Sequence, residues 1–258
     1  MPNEDRRPIK AVIFDMDGLL LDSESLYTRI TNEILAPFNK QLTWEIKSSI
    51  MGRPALEAAR IVVNRTGIPI TPTDLVAAML TRQRDLFPTV QPMPGALKLV
   101  QHLKKHHIPI LIATGSSRQN FLLKSQNLSL LFSPFEGRVI CGDDSDLKRG
   151  KPHPDPFLLA ASRYLGTQVT VDSQTGYLEP PRDSDDNSQI RPDEILVFED
   201  GLAGVRSAIA AGMRVTWVPD PELKRLSSVS QSDILPVDQV LDSLEDWKGS
   251  DWGLPSFD

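Results

Sequence analysis

At 258 residues, with 40% hydrophobic and 24% charged side chains, the chain can bury a sizeable core as one large domain or two unequal ones. Its net charge of -6 leaves no basic surplus to neutralise phosphates, which argues against a nucleic-acid binder. Cys141, the one cysteine, excludes an internal disulfide and a multi-cysteine metal site.

A reducing compartment fits that single thiol. Residues 1–10 are polar, and no stretch approaches the length of a membrane span. A cytoplasmic location is therefore expected, with the nucleus also compatible.

Ala11-Val12-Ile13-Phe14 is a short apolar run that predicts a strand buried on both faces. It runs into Asp15, Asp17 and Gly18. Two carboxylates there would be costly in a core, and make sense if the strand ends at a pocket. Helices follow over 23–37, 44–51, 55–66 and 71–87, the first carrying Leu26, Ile30 and Ile34 at helical spacing. Asp22 or Ser23 can cap its start, and Pro37 and Gly67 are plausible stops. With no convincing strand among them, residues 22–92 read as a small helical unit inserted after the first strand.

Strand and helix then alternate. Helices fall over 96–106, 117–126, 154–165 and 203–211, and strands over 108–113, 139–141, 195–198 and 214–218. This predicts an α/β core, 1–21 plus 93–258, with a parallel sheet and helices on both faces. The Pro- and Asp-rich stretch 167–191 reads as a mobile loop. A short helix over 237–244 and a tail from Trp252 close the chain.

Ligands in such sheets bind outside the carboxyl ends of the strands. Asp15 and Asp17 follow the first strand, and Thr114-Gly115-Ser116-Ser117 the second. After the third come Gly142-Asp143-Asp144 and then Gly150-Lys151-Pro152, and Glu199-Asp200-Gly201 follow the fourth. This set suits phosphoryl transfer to a carboxylate. Asp15 can attack phosphorus, and Asp17 can protonate the leaving oxygen and later activate water. Asp15 and Asp200 offer hard oxygen ligands for Mg²⁺. Thr114 and the N–H groups near Ser116 can hold phosphate oxygens at a helix start, with Lys151 as a point charge. Gly18 turns the chain sharply and brings backbone N–H groups close to a ligand. Glu199 is either a metal ligand or an acidic neighbour, and Asp143 and Asp144 either shape the loop near the metal or form a plain turn. Arg53 can reach the site from the helical unit, and Glu24 reads as an early-helix acid. His102 and His106 read as a solvated helix face, Cys141 as a small buried residue, and Trp247 and Trp252 as packing for the tail.

The motifs Asp15-Met16-Asp17-Gly18, Ile112-Ala113-Thr114-Gly115-Ser116, Gly150-Lys151-Pro152 and Phe198-Glu199-Asp200-Gly201 occur in that order. Together they resemble the four motifs of the haloacid dehalogenase superfamily of aspartate-nucleophile phosphohydrolases. Leu19-Leu20-Leu21-Asp22-Ser23-Glu24, Met51-Gly52-Arg53-Pro54, Gly142-Asp143-Asp144 and the ending Gly253-Leu254-Pro255-Ser256-Phe257 are similar to its pseudouridine-5'-phosphatase branch. The resemblance implies a Rossmann-like core, a helical cap, Mg²⁺ dependence, a phosphomonoester substrate and metal ligation by the backbone carbonyl of Asp17. It points to a monomeric phosphatase for a nucleoside, sugar or polyol phosphate, with Gly18, Arg53, Gly115 and Ser116 contacting substrate. The alternatives are a phosphomutase of the β-phosphoglucomutase kind and a non-catalytic binding module on the same fold.

Overall fold

The computed structural model describes residues 7–50, 55–181, 189–229 and 235–257. Its strands in chain order are β1 (Ala11–Phe14), β2 (Ile110–Ala113), β3 (Val139–Ile140), β4 (Thr170–Val171), β5 (Leu178–Glu179), β6 (Ile195–Glu199), β7 (Arg214–Trp217) and β8 (Gln239–Val240). Six of them form one parallel sheet in the order β3-β2-β1-β6-β7-β8. The central strand β1 therefore sits where the strand order reverses, the place at which such sheets open a crevice. Phe14 is level with Ile112 on one side and Phe198 on the other. The residues that follow these three positions thus leave the sheet along one edge.

Alternation along the strands sorts their side chains into two cores. Val12, Phe14, Ile112, Leu196 and Phe198 face one way, packed with Leu99, Val100 and Leu103 of α5 (Ala96–Lys105) and with Trp247 and Trp252. Ala11, Ile13, Leu111 and Val197 face the other way, against Phe157 and Leu158 of α8 (Asp155–Leu165) and Val205 and Ala208 of α9 (Leu202–Ala210). Phe14 stacks on Phe198 with ring centroids 5.1 Å apart, tying β1 to β6 just below the carboxylates. The remaining core helices are α6 (Arg118–Ser125), α7 (Ser129–Phe132) and α10 (Pro221–Val229).

Between β1 and α5 the described chain is helical: α1 (Ser23–Leu35), α2 (Trp44–Ile50), α3 (Ala55–Thr66) and α4 (Pro72–Leu86). Ile30, Ile34, Ile46, Val62, Leu75 and Phe87 give these helices an apolar core of their own. The two crossings into this unit run side by side, because Asp22 N–H donates to Gln91 O and Met93 N–H to Leu20 O, each at 2.9 Å. Among the described residues no helix is long and apolar enough to cross a membrane.

Two segments differ from the expectations. Residues 239–240 form an edge strand, not part of a helix over 237–244. Asp238 bonds Val215 from both sides, donating its N–H to Val215 O at 3.0 Å and accepting Val215 N–H on Oδ2 at 2.8 Å. The open edge of β7 thus takes the backbone, and Val240 is left exposed instead of packing as a helix face. Within 167–191, β4 and β5 pair as an antiparallel hairpin. Asp172 Oδ1 accepts from the N–H groups of Gln174 and Thr175 to make its turn, a local device invisible to composition. Residues 182–188 lie outside the described part.

Candidate active site

Asp15 follows β1 and is anchored by its N–H to Phe198 O at 3.0 Å. The residue is nearly inaccessible, at 6% exposure. Lys151 arrives from the loop between β3 and α8 and donates to Asp15 Oδ1 at 2.5 Å and to Glu199 Oε1 at 2.6 Å. Asp200 stands beside them: Asp15, Glu199 and Asp200 each offer an oxygen within 4.8 Å of the others.

Two glycines make this crowding possible. Gly18 has φ +83°, and a Cβ there would come within 2.2 Å of Asp200 Oδ2. In α9, a Cβ at Gly204 would fall 1.6 Å from Glu199 Oε1. Glu199 Oε2 accepts the Gly201 N–H at 3.1 Å, so one glutamate oxygen holds the helix start and the other holds Lys151.

Burial pushes the Asp15 carboxyl up to about 7; Lys151 opposes the rise, while Glu199 and Asp17 add to it. Asp200 is raised well above the carboxylate range, by burial first and then by Glu199 and Asp15. Burial alone would lower the Lys151 ammonium, but Asp15 and Glu199 outweigh it and the lysine stays charged. A cluster of buried carboxylates with one lysine between two of them lacks positive charge. Such a set of hard oxygens is suited to a divalent cation.

Asp17 is arranged differently. Its Oδ1 accepts from Ser23 Oγ at 2.6 Å and from Lys124 Nζ, and its Oδ2 from Ser116 Oγ at 2.7 Å and Thr114 Oγ1 at 3.4 Å. Burial raises this carboxyl too, but Lys124, Ser23 and Ser116 more than offset it and leave its pKa lowered. Thr114 is buried at the end of β2, and its Oγ1 accepts the Ser116 N–H at 3.0 Å. Gly115 packs its carbonyl under Gly142, where a Cβ would come within 2.3 Å.

The structure therefore gathers Asp15, Asp17, Gly18, Thr114, Ser116, Lys151, Glu199 and Asp200 at one edge of the sheet. Arg53 lies outside the described residues. Asp143 and Asp144 serve the loop: Asp143 accepts the Arg118 N–H at 2.7 Å, and Asp144 pairs with Arg163 at 2.7 Å. Burial raises Cys141 to about 11, which suits a packing residue and not a thiolate. His102 is not on a solvated face. It is 7% exposed, and its Nε2–H donates to Pro255 O at 2.9 Å, so it fastens the C-terminal segment to α5. Lys124 and Ser23 are the site residues that sequence reasoning missed. The signal for Lys124 is its place one turn after Phe121, on the inward face of the helix that follows the second strand.

A model of haloacid dehalogenase-like hydrolases matches residues 9–212, most of the chain. The chain belongs to the haloacid dehalogenase-like hydrolase family. It is 44% identical to (DL)-glycerol-3-phosphatase 2 of Arabidopsis thaliana, over 98% of this chain and 95% of that one. It is 37% identical to the Drosophila melanogaster protein named "Probable pseudouridine-5'-phosphatase", over 100% and 99% of the two chains. Among solved structures, a family hydrolase from Deinococcus radiodurans R1 with bound phosphate and sodium superposes with a TM-score of 0.68. It covers 97% of this chain and 99% of its own at 22% identity, a likeness of fold.

Proposed function

We propose that this family hydrolase cleaves small phosphomonoesters by transferring the phosphoryl group to Asp15. The chain is a phosphatase for small phosphorylated metabolites, as its full-length relatives named for glycerol-3-phosphate and pseudouridine-5'-phosphate indicate. The observation that carries the mechanism is the contrast between two carboxylates two residues apart. Asp15 lies against Lys151 in a crowded acidic cluster, and Asp17 lies within a set of four donors.

Mg²⁺ fits the cluster, because the oxygens of Asp15 and Asp200 converge, and burial together with neighbouring carboxylates raises both groups above their ordinary range. Asp15, Asp200 and the backbone carbonyl of Asp17 would hold it. Glu199 has both oxygens engaged by Lys151 and Gly201, which makes it the counter-ion that places the lysine. When bound, the cation neutralises charge on the phosphoryl oxygens and lets Asp15 act as a carboxylate.

Asp15 Oδ attacks phosphorus and displaces the ester oxygen, leaving an aspartyl-phosphate. Lys151 and Thr114 steady the phosphoryl oxygens. Asp17 takes a proton from the water that hydrolyses Asp15-phosphate and, protonated by that step, gives it to the leaving oxygen of the next ester. In the arrangement described here Asp17 is the carboxylate, the form that takes a proton. The helices α1 to α4 act as the cap that covers the crevice and excludes bulk water.

The test is phosphate release with Mg²⁺ across a panel including glycerol 3-phosphate, pseudouridine 5'-phosphate and p-nitrophenyl phosphate. Turnover by wild type and its loss in Asp15→Asn is the expected result. Equal rates in the two proteins contradict the nucleophile assignment.

A further inference from the structure

Lys124 is the one fully buried lysine among the described residues, with no exposed surface. It projects from α6 towards Asp17, and its ammonium has three acceptors for three protons: Asp17 Oδ1, Ser116 Oγ at 2.8 Å and Tyr27 OH at 3.4 Å. The Tyr27 and Phe87 rings, both from the helical cap, flank it at 5.2 and 4.7 Å. Tyr27 and Ser23 belong to α1, so Lys124 joins core to cap at the general acid–base residue.

Taking an ammonium out of water is costly, a cost the two rings repay only in part, and packing alone would favour a side chain such as methionine. What the charge secures is Asp17. Lys124 and Ser23 occupy Oδ1, while Ser116, itself bonded to Lys124, occupies Oδ2. The carboxylate is thereby held in one orientation by groups from α1, α6 and the turn after β2. Lys151 has no such role, since its two partners are Asp15 and Glu199.

We propose that Lys124 is a positioning residue for the second half-reaction, aiming Asp17 at the water that breaks down Asp15-phosphate. This deepens the proposed function and rests on it. In that step the water oxygen bonds to phosphorus and the phosphorus–Oδ bond breaks. Its electron pair returns to the Asp15 carboxylate, a water proton passes to Asp17, and inorganic phosphate leaves. Lys124 touches neither the phosphoryl group nor the water.

The test is stopped-flow release of p-nitrophenol from p-nitrophenyl phosphate with Mg²⁺, in wild type, Lys124→Met, Asp17→Asn and Asp15→Asn. This leaving group needs no proton, so transfer to Asp15 should survive loss of the base. Lys124→Met is expected to give a burst of about one p-nitrophenol per site and then a steady rate about 10- to 100-fold below wild type. Its kcat and KM should fall together, with kcat/KM unchanged. Asp17→Asn should show the same pattern more strongly. A burst that shrinks in step with the steady rate marks lost folded sites and overturns the inference, as does a wild-type steady rate. Where methionine unsettles the fold, Lys124→Gln is read by the same criteria. Turnover by Asp15→Asn would overturn the proposed function itself, whereas a burst in Asp17→Asn without one in Lys124→Met would overturn only the role of Lys124.

Discussion

Asp15 and Asp17 are two residues apart, both lie in the site, and each touches a lysine, yet their acidities move in opposite directions. The difference lies in what else they touch. Asp15 shares Lys151 with Glu199 and has Asp200 close by, so three carboxylates depend on one ammonium. Asp17 has Lys124 and three hydroxyls directed at it and no second carboxylate in its shell of donors. One position is short of positive charge and ready for a cation and an electrophilic phosphorus. The other is saturated with donors and held as a base. Burial alone, which raises both, cannot separate them; the count of donors against like charges does.

The largest effect expected is from Asp15→Asn, which removes the nucleophile and should lower kcat by about a thousandfold or more, with the circular dichroism spectrum unchanged. Asp17→Asn should cost about a hundredfold to ten-thousandfold in phosphate release. A smaller loss than that from Lys124→Met would break the division of labour between the two aspartates. Next in size is Gly18→Ala. The methyl strains a residue at φ +83° and pushes on Asp200 Oδ2, so half-saturation by Mg²⁺ should need about tenfold more metal.

The smallest effect expected is a slope of stability against pH. An Asp15 carboxyl at about 7 in the folded chain against its ordinary 3.8 means that the folded state holds the extra proton between those values. Stability from this group is therefore greatest below the lower value and falls as pH rises towards the upper one. Without metal, the melting temperature should drop between about pH 5 and 7, and Asp15→Asn should flatten that drop. Mg²⁺ should stabilise more at pH 8 than at pH 5. A metal-free melting temperature that rises over the same interval would reverse the assignment of crowded charge to Asp15.

The order of strands and helices and the convergence of Asp15, Thr114, Lys151 and Asp200 were legible because buried parallel strands are continuous apolar runs whose ends are marked by polar residues. What was not legible came from partners distant in sequence. Lys124 meets Asp17 across 107 residues, and His102 meets Pro255 across 153. Lys124 also contradicts the usual rule that lysines lie outside, so a pattern based on polarity assigns it to the surface. The strand at Gln239–Val240 is too short to show a period, and only the open edge of β7 decides its form.

The most direct measurement is to quench the enzyme with acid during turnover of a phosphate ester and reduce the protein with tritiated borohydride, which expels the phosphate and leaves tritium on the reduced residue. An aspartyl-phosphate at position 15 should give homoserine there in wild type, with more in Asp17→Asn, where breakdown is slowed. Tritium at any other residue, or none in either protein, would contradict transfer to Asp15.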